Sequence, residues 1–155
     1  MYNHVPTDYK CPICIAIAGD ENEDTWIVKE DIFYKDDLVI GFISSKAIKG
    51  NEGHAIISPL DHHENIYDLP EEVGHRIFDV SKKIAIALKE IRKCDGISVG
   101  QYNEPAGGQH AFHYHFHLFP RFEGDNFNEE LWKAERSAPE SRKEYAGALK
   151  GYFQR

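Results

Sequence analysis

The chain has 155 residues and a formal net charge of −8 at pH 7, from 26 acidic and 18 basic side chains. An acidic surface repels phosphate backbones and anionic lipid, so we expect neither a nucleic-acid polymer nor a membrane as a partner. Because no apolar run is long enough to span a bilayer and the N-terminus lacks a secretory signal, the sequence predicts a cytoplasmic protein. The length predicts a single domain over residues 1–155, with a core at about 11–121 and a C-terminal helical tail at 122–155.

The first predicted elements are a short helix and three strands. An apolar run at 13–18, closed by Gly19, indicates a brief helix that ends in a residue tolerating positive φ. Two β-rich runs at 32–34 and 38–43 flank a polar turn, which is typical of a hairpin. A further strand is predicted at 54–58, ended by Pro59.

A long helix and two more strands complete the predicted fold. From Pro70, apolar residues recur at three- or four-residue spacing and form one stripe on a helix of about six turns. Strands are predicted at 97–102 and 112–119, the second stopped by Pro120, followed by a helical tail from Asn128 that Pro139 breaks. The sequence therefore predicts an α+β fold: an antiparallel β-sheet with one long helix packed on it, plus short N- and C-terminal helices.

Histidines alternate with apolar residues in the strand predicted at 112–119. Alternate side chains of a strand share a face, so His113, His115 and His117 should line one face together. The opposite face should pack under the long helix through Phe112, Tyr114, Phe116 and Leu118. Three interpretations compete: a solvated face, a catalytic metal site, and nucleophilic attack on phosphorus by a neutral imidazole. The preceding Gly107-Gly108-Gln109 supplies backbone N–H groups that favour a phosphate ligand.

Residues outside this row are also considered for metal binding, redox chemistry, phosphate contact or a purely structural role. Cys11 and Cys14 form a Cys-x-x-Cys pair, for which zinc ligation, redox chemistry and simple packing remain open. Cys94 is predicted to be a small packed residue and His75 a solvated one. His4 is expected in a mobile terminus, and Arg121 either faces a phosphate or is an ordinary surface residue.

The run Gly108-Gln109-His110-Ala-Phe-His113-Tyr-His115-Phe-His117-Leu-Phe119-Pro120-Arg121 resembles the signature of the histidine-triad (HIT) family of nucleotide hydrolases and transferases. Gly53-His54-Ala-Ile-Ile-Ser-Pro59 resembles a second strand of that family, and the similarity extends from about Cys11 to Arg121. The resemblance implies cleavage at the α-phosphorus of a nucleoside phosphoramidate or dinucleoside polyphosphate, with a purine nucleotide as substrate.

The resemblance also implies the roles of individual residues. His115 would be the nucleophile that forms a covalent nucleotidyl intermediate, His117 would contact the phosphate and the leaving group, and His54 would support them. The nucleotide-binding residues would be Asn103, Gly108, Gln109, His110, His115 and His117. Members of the family usually carry Ser or Thr where this chain has His110, and often an acidic residue near Ser44, so the resemblance implies that leaving-group and nucleoside preferences differ here.

A zinc site and a dimer follow from the same resemblance. One structural Zn2+ per chain would be held by Cys11, Cys14, His62 and His113, with His63 as the competitor of His62. The resemblance also implies a homodimer, paired through the long helix and a sheet edge. Two other hypotheses stay open: a zinc-dependent hydrolase that uses the histidine row as metal ligands, and a nucleotide-binding interaction protein with residual catalysis.

Overall fold

Seven strands and four α-helices make up the computed structural model, which describes residues 2–155. The strands are β1 (Ile32–Lys35), β2 (Val39–Ile43), β3 (Lys46–Ala47), β4 (Ala55–Pro59), β5 (Gly96–Gln101), β6 (Phe116–Arg121) and β7 (Glu135–Arg136). The helices are α1 (Pro12–Ala18), α2 (Glu71–Arg92), α3 (Phe127–Glu130) and α4 (Pro139–Phe153). No helix among the described residues combines the length and the apolar character needed to cross a bilayer.

The central sheet is antiparallel and has five strands in the order β1-β2-β4-β6-β5. The short strands β3 and β7 pair separately and tie the C-terminal region to the loop after β2. The mixed α+β prediction is therefore confirmed, including the hairpin of β1 and β2 and the brief helix α1, which ends at Gly19 with φ +84°. The β3–β7 pair was missed because two-residue strands leave no periodic signal in the sequence.

The main core lies between the sheet and two helices, α2 and α4. Fully buried residues of α2 such as Val80 and Ile84 pack with Ile57 of β4 and Leu118 of β6. Helix α4 adds Ala146 and Leu149 to the same core, so residues expected in a C-terminal tail contribute to the packing. The predicted helical tail is interrupted next to Pro139: residues 134–138 are not helical, and Pro139 begins α4, where its missing N–H has no partner to lose.

The histidine-rich strand begins later than the alternation predicted. Residues 112–115 are irregular, because Ser58 Oγ donates to the Tyr114 carbonyl (2.7 Å) and Tyr114 N donates to the His63 carbonyl, replacing ladder bonds. The strand also passes through Pro120, whose carbonyl accepts from Asn51 Nδ2 at 2.8 Å where β4 no longer pairs. Leu118 faces α2 as predicted, whereas Phe112 packs edge-on against Tyr9 instead.

Candidate functional site

A cavity of about 510 Å³ lies on the sheet face opposite α2. Apolar and aromatic side chains predominate in its lining, and a few polar groups converge on one side. Its volume falls within the range of small-molecule sites, about 300–1,000 Å³. The sheet contributes the floor of this cavity through Phe42, Ile56, His117 and Phe119, with His54 and His115 beside them.

His115 is held in one tautomer by its own backbone neighbourhood. Its Nδ1 lies 2.6 Å from the carbonyl oxygen of His113. Because a carbonyl oxygen can only accept, Nδ1 carries the proton and Nε2 keeps the lone pair. Burial lowers the pKa of His115, the hydrogen bond to the His113 carbonyl raises it, and the neighbouring His110 lowers it further. The ring is therefore a neutral imidazole with a nucleophilic nitrogen available at neutral pH.

His117 and His54 form a neutral pair beside His115. The His117 ring lies 4.9 Å from that of His115 and stacks on Phe119, with ring centroids 5.3 Å apart. Its Nδ1 is 3.4 Å from Nε2 of His54, which is 3% exposed. Burial lowers the pKa of His54 to about 3 and holds the pKa of His117 well below its usual value. His54 therefore stands behind His117 and limits its rotation, as a support for the residue that lines the cavity.

The predicted nucleotide-binding residues divide into two groups. Gly108 and His110 line the cavity. Gln109 is buried and its amide is fully engaged, accepting from Glu104 N at 2.8 Å and donating to the carbonyls of Glu64 and Ala111.

Asn103 is also outside the cavity lining. Its Oδ1 accepts from Ile66 N at 2.8 Å, and its amide group exchanges hydrogen bonds with Gln101. In this structure, Asn103 and Gln109 thus hold the loop that presents Gly108 and His110 to the cavity.

Two aromatic residues that the sequence did not single out form a wall of the cavity. Trp132, 64% exposed, and Tyr102 line it with their rings 5.9 Å apart. Gly108 has φ +89°, and a Cβ there would lie 3.3 Å from the Trp132 ring, so glycine permits this close approach. No spacing rule links residues 102, 108 and 132, which is why sequence reasoning missed the wall.

The structure also shows the contacts of five other residues that were considered from the sequence. Ser44 lines the cavity, whereas Arg121 is turned to Asp125 in a bidentate pair at 2.7–2.8 Å. His75 is exposed and Cys94 is 2% exposed, in agreement with their predicted roles. His4 was expected in a mobile terminus, but its side chain contacts Glu104, with Nε2 lying 2.9 Å from a carboxylate oxygen.

A second cluster brings together the four residues expected to hold zinc. The ligand atoms of Cys11, Cys14, His62 and His113 all lie within 4.8 Å of one another, and three sulfur–nitrogen distances are 3.3–3.4 Å. Such separations suit a tetrahedral ion with Zn–S of about 2.3 Å and Zn–N of about 2.0–2.1 Å. His63 is not in the cluster.

The chemistry of this cluster also fits a zinc ion. His113 Nε2 donates to the Pro59 carbonyl at 3.0 Å, which leaves Nδ1 unprotonated and directed at the cysteines. Burial lowers the pKa of His113 to about 3, so the ring is a neutral ligand. Burial and the neighbouring Cys11 raise the pKa of Cys14 to about 12, so a cation is needed to hold both sulfurs as thiolates.

Comparison with known proteins gives several relatives. The HIT domain family matches residues 27–124. The protein named "Protein hit" from Bacillus subtilis is 32% identical over 124 residues, covering 79% of each chain. Adenosine 5'-monophosphoramidase from Saccharomyces cerevisiae is 36% identical over 70 residues, 45% of this chain and 42% of that protein. Bis(5'-adenosyl)-triphosphatase from the same species is 29% identical over 108 residues, 69% of this chain and 52% of that protein.

Solved structures of HIT-family proteins also superpose on this chain. A Zn-bound histidine triad family protein from Mycobacterium smegmatis superposes with a TM-score of 0.75 and 25% identity, covering 94% of each chain. A HIT-like protein from Bartonella henselae superposes with a TM-score of 0.75 and 27% identity, covering 95% of this chain and 99% of the other. With its sheet, its histidine row and a family match over most of its length, this chain belongs to the HIT family.

Proposed function

We propose that the protein is a nucleotide phosphohydrolase or nucleotidyl transferase that acts at an α-phosphorus through a covalent intermediate on His115. The observation that carries this proposal is the 2.6 Å hydrogen bond to the His113 carbonyl from Nδ1 of His115, whose side chain lines a cavity of about 510 Å³. It supplies a positioned nucleophile, and the cavity supplies room for a purine nucleotide.

The reaction then proceeds in two displacements. His115 Nε2 attacks the α-phosphorus, the N–P bond forms, and the bond from phosphorus to the leaving group breaks. The hydrogen bond from Nδ1 to the carbonyl stabilises the positive charge that develops on the ring. Water, or another acceptor in the transferase reaction, next attacks the same phosphorus and releases His115 with its lone pair restored. His117, whose ring centroid lies 4.9 Å from that of His115, would contact the phosphoryl oxygens.

The relatives support two substrate classes. One is named as an adenosine 5'-monophosphoramidase and another as a bis(5'-adenosyl)-triphosphatase. Both names describe cleavage beside an adenylyl phosphorus, one with an amine leaving group and one with a nucleotide. We therefore propose nucleoside phosphoramidates and dinucleoside polyphosphates as the substrates of this protein.

Zinc is proposed as a structural ion, one per chain. Two cysteines and two histidines provide four protein ligands, which leaves no open position for a water or a substrate. When bound, the ion would join α1 to the segment that carries His115. The zinc-hydrolase hypothesis is disfavoured because His113 turns to the cysteines while His115 and His117 line the cavity.

We also propose a homodimer of single-domain chains in the cytoplasm. Phe78 and Ile86 on α2 are 70% and 46% exposed, and Val99 on the edge strand β5 is 59% exposed. These apolar side chains would be covered if α2 and β5 paired with those of a second copy. The three cysteines are free thiols, which suits a reducing compartment.

The test is turnover of adenosine 5'-phosphoramidate and of diadenosine polyphosphates by wild type and by His115→Ala. We expect the substitution to lower kcat by at least about 10³-fold, the size of effect seen when a nucleophile is removed. His75→Ala, which changes an exposed histidine on α2, is the matched control and should retain activity. Full turnover by His115→Ala would refute the mechanism. Tight nucleotide binding with no turnover by wild type would instead support the interaction-protein hypothesis.

A further inference from the structure

Two positive charges lie beside the cavity without an acidic partner. Lys46 of β3 lines the cavity, and the guanidinium group of Arg136 of β7 lies over the ring of Trp26, another lining residue, at 5.0 Å from the ring centroid. Within residues 2–155, neither Lys46 nor Arg136 joins an ion pair or donates a hydrogen bond from its side chain. Both charges are therefore available to an anionic ligand.

The pairing of β3 with β7 brings these two charges together. Lys46 and Arg136 are opposite each other in the antiparallel register, and the next pair in register is Ala47 with Glu135. Opposite side chains of such a pair share a face, with Cβ atoms about 4.5–5.5 Å apart, and like charges placed there destabilise the pairing. Strand alternation directs Glu135 to the other face, so this carboxylate does not neutralise them. An anion bound between Lys46 and Arg136 would remove the repulsion.

The charges of the cavity lining also favour an anion. Asp24 is the one acidic residue that lines the cavity in the described chain, and its carboxylate lies 3.0 Å from Lys10 Nζ. Glu52 borders a smaller cavity together with Lys46, but its carboxylate accepts from Gly50 N at 2.9 Å. With histidines counted as neutral, the lining keeps a net positive charge in a chain whose formal net charge is −8. The cavity therefore differs in sign from the protein as a whole.

The floor of the cavity separates these cations from the histidine row. Phe42 of β2, Ile56 of β4 and His117 of β6 are register partners across three strands, so the backbones at Phe42 and His117 are about 10 Å apart, two strand spacings. The chain continues from Phe42 through the end of β2 to Lys46 in β3. With the α-phosphorus at His115, a phosphate at Lys46 is a second one, on the far side of the floor.

We propose that Lys46 and Arg136 form a binding site for a second phosphate group of the nucleotide substrate. The inference rests on the proposed function, because it takes the α-phosphorus to lie at His115. The second phosphate belongs either to the ribose, as a 2′- or 3′-phosphate, or to a phosphate chain attached at the 5′ position. Both sources offer the same chemistry, since their oxygens accept charge-assisted hydrogen bonds from an ammonium and a guanidinium group.

The test compares the affinities of nucleotides with and without a second phosphate, by titration calorimetry. The reference ligand is adenosine 5′-monophosphate. The ligands with further phosphates are adenosine 2′,5′-bisphosphate, adenosine 3′,5′-bisphosphate and α,β-methylene adenosine 5′-triphosphate, which cannot be cleaved at the α-phosphorus. We expect wild type to bind at least one of these three about 10-fold more tightly than the monophosphate. Tighter binding of a bisphosphate identifies the ribose as the source, and tighter binding of the triphosphate analogue identifies the chain.

Variants of the two cations test whether they supply this gain. Lys46→Met and Arg136→Met should each lower the ratio of the affinities for the tighter ligand and the monophosphate by about 5–30-fold, the effect of losing one hydrogen bond to a charged group. Lys46→Arg keeps the charge and should keep most of the ratio. Lys150→Met removes an exposed lysine at the end of α4 and is the matched control, for which the ratio should not change.

Urea unfolding without ligand supplies a second readout. Because Lys46→Met removes a repulsion between like charges, its free energy of unfolding should equal or exceed that of wild type, which separates a binding role from a structural one. The inference is overturned if no ligand with a further phosphate binds more tightly than the monophosphate, or if Lys46→Met leaves the affinity ratio unchanged. Failure of the proposed function would appear separately, as absent turnover by wild type, since these binding measurements require no chemistry.

Discussion

Removal of Arg142 from its buried ion pair should destabilise the protein strongly. The side chains of Arg142 and Asp31 are 3% and 1% exposed, and two N–H···O contacts of 2.8 Å join them. Arg142 also donates to the carbonyls of Ser137 and Trp26, so it connects α4 to the segment that lines the cavity. Arg142→Met keeps the apolar stem and leaves the Asp31 carboxylate buried without a counter-charge, which costs about 3–5 kcal/mol.

The assay is urea and thermal unfolding of wild type, Arg142→Met and the double variant Asp31→Asn/Arg142→Met. For a chain of this size, about 3–5 kcal/mol corresponds to a fall in Tm of about 6–20 °C. The double variant should be more stable than Arg142→Met, because Asn carries no charge and can still accept from Val28 N. Lys133→Met, which removes an exposed pair with Glu130, should cost less than about 1 kcal/mol. A loss below about 1 kcal/mol for Arg142→Met, or no recovery in the double variant, would refute this reasoning.

Three further predictions concern the metal, a turn and the pH. Metal analysis should find one zinc per chain in wild type and in Cys94→Ser but none in Cys11→Ser, and a chelator should lower the Tm of wild type reversibly. Gly53→Ala should lower the free energy of urea unfolding by about 2–5 kcal/mol, because Gly53 has φ +74° and the new Cβ would overlap the ring of Tyr145. The control Gly147→Ala, in open space on α4, should raise that free energy by about 0.5–1 kcal/mol. Burial lowers the pKa of His54 from 6.5 to about 3 in the folded protein. Between these two pH values the unfolded chain binds a proton at His54 that the folded chain does not bind. Stability should therefore fall by about 1.4 kcal/mol per pH unit from pH 6.5 toward pH 3 on account of this residue, and His54→Asn should reduce that slope; an unchanged slope would contradict the assignment.

Local patterns predicted most of the elements but not the packing of the C-terminal region. The apolar stripe from Val73 to Ile91 indicated α2 because its period is that of a helix packed on one side. In contrast, α4 has a weaker pattern, and the ion pair that holds it joins residues 31 and 142, which no local rule connects. The predicted separation into a core at 11–121 and a tail did not anticipate that Leu149 is buried in the main core.

Local patterns also predicted only part of the arrangement of the site residues. Alternation predicted one surface for His113, His115 and His117, but only the last two line the cavity, because His113 turns to the cysteines. The four residues of the proposed zinc site were named together through the family resemblance. The irregular backbone before β6 was not predictable, because it depends on contacts with Ser58 and His63 from another part of the chain. For the same reason, the sequence did not show that the Gln109 amide holds the loop by accepting a hydrogen bond from Glu104 N.

The central claim is the covalent intermediate on His115, and the most direct test is the stereochemistry at the α-phosphorus. Hydrolysis of a substrate made chiral at that phosphorus with oxygen isotopes and sulfur would be followed by ³¹P NMR of the released nucleotide. Two in-line displacements, the first by His115 Nε2 and the second by water, predict net retention of configuration. Net inversion would mean that water attacks directly and would contradict the account.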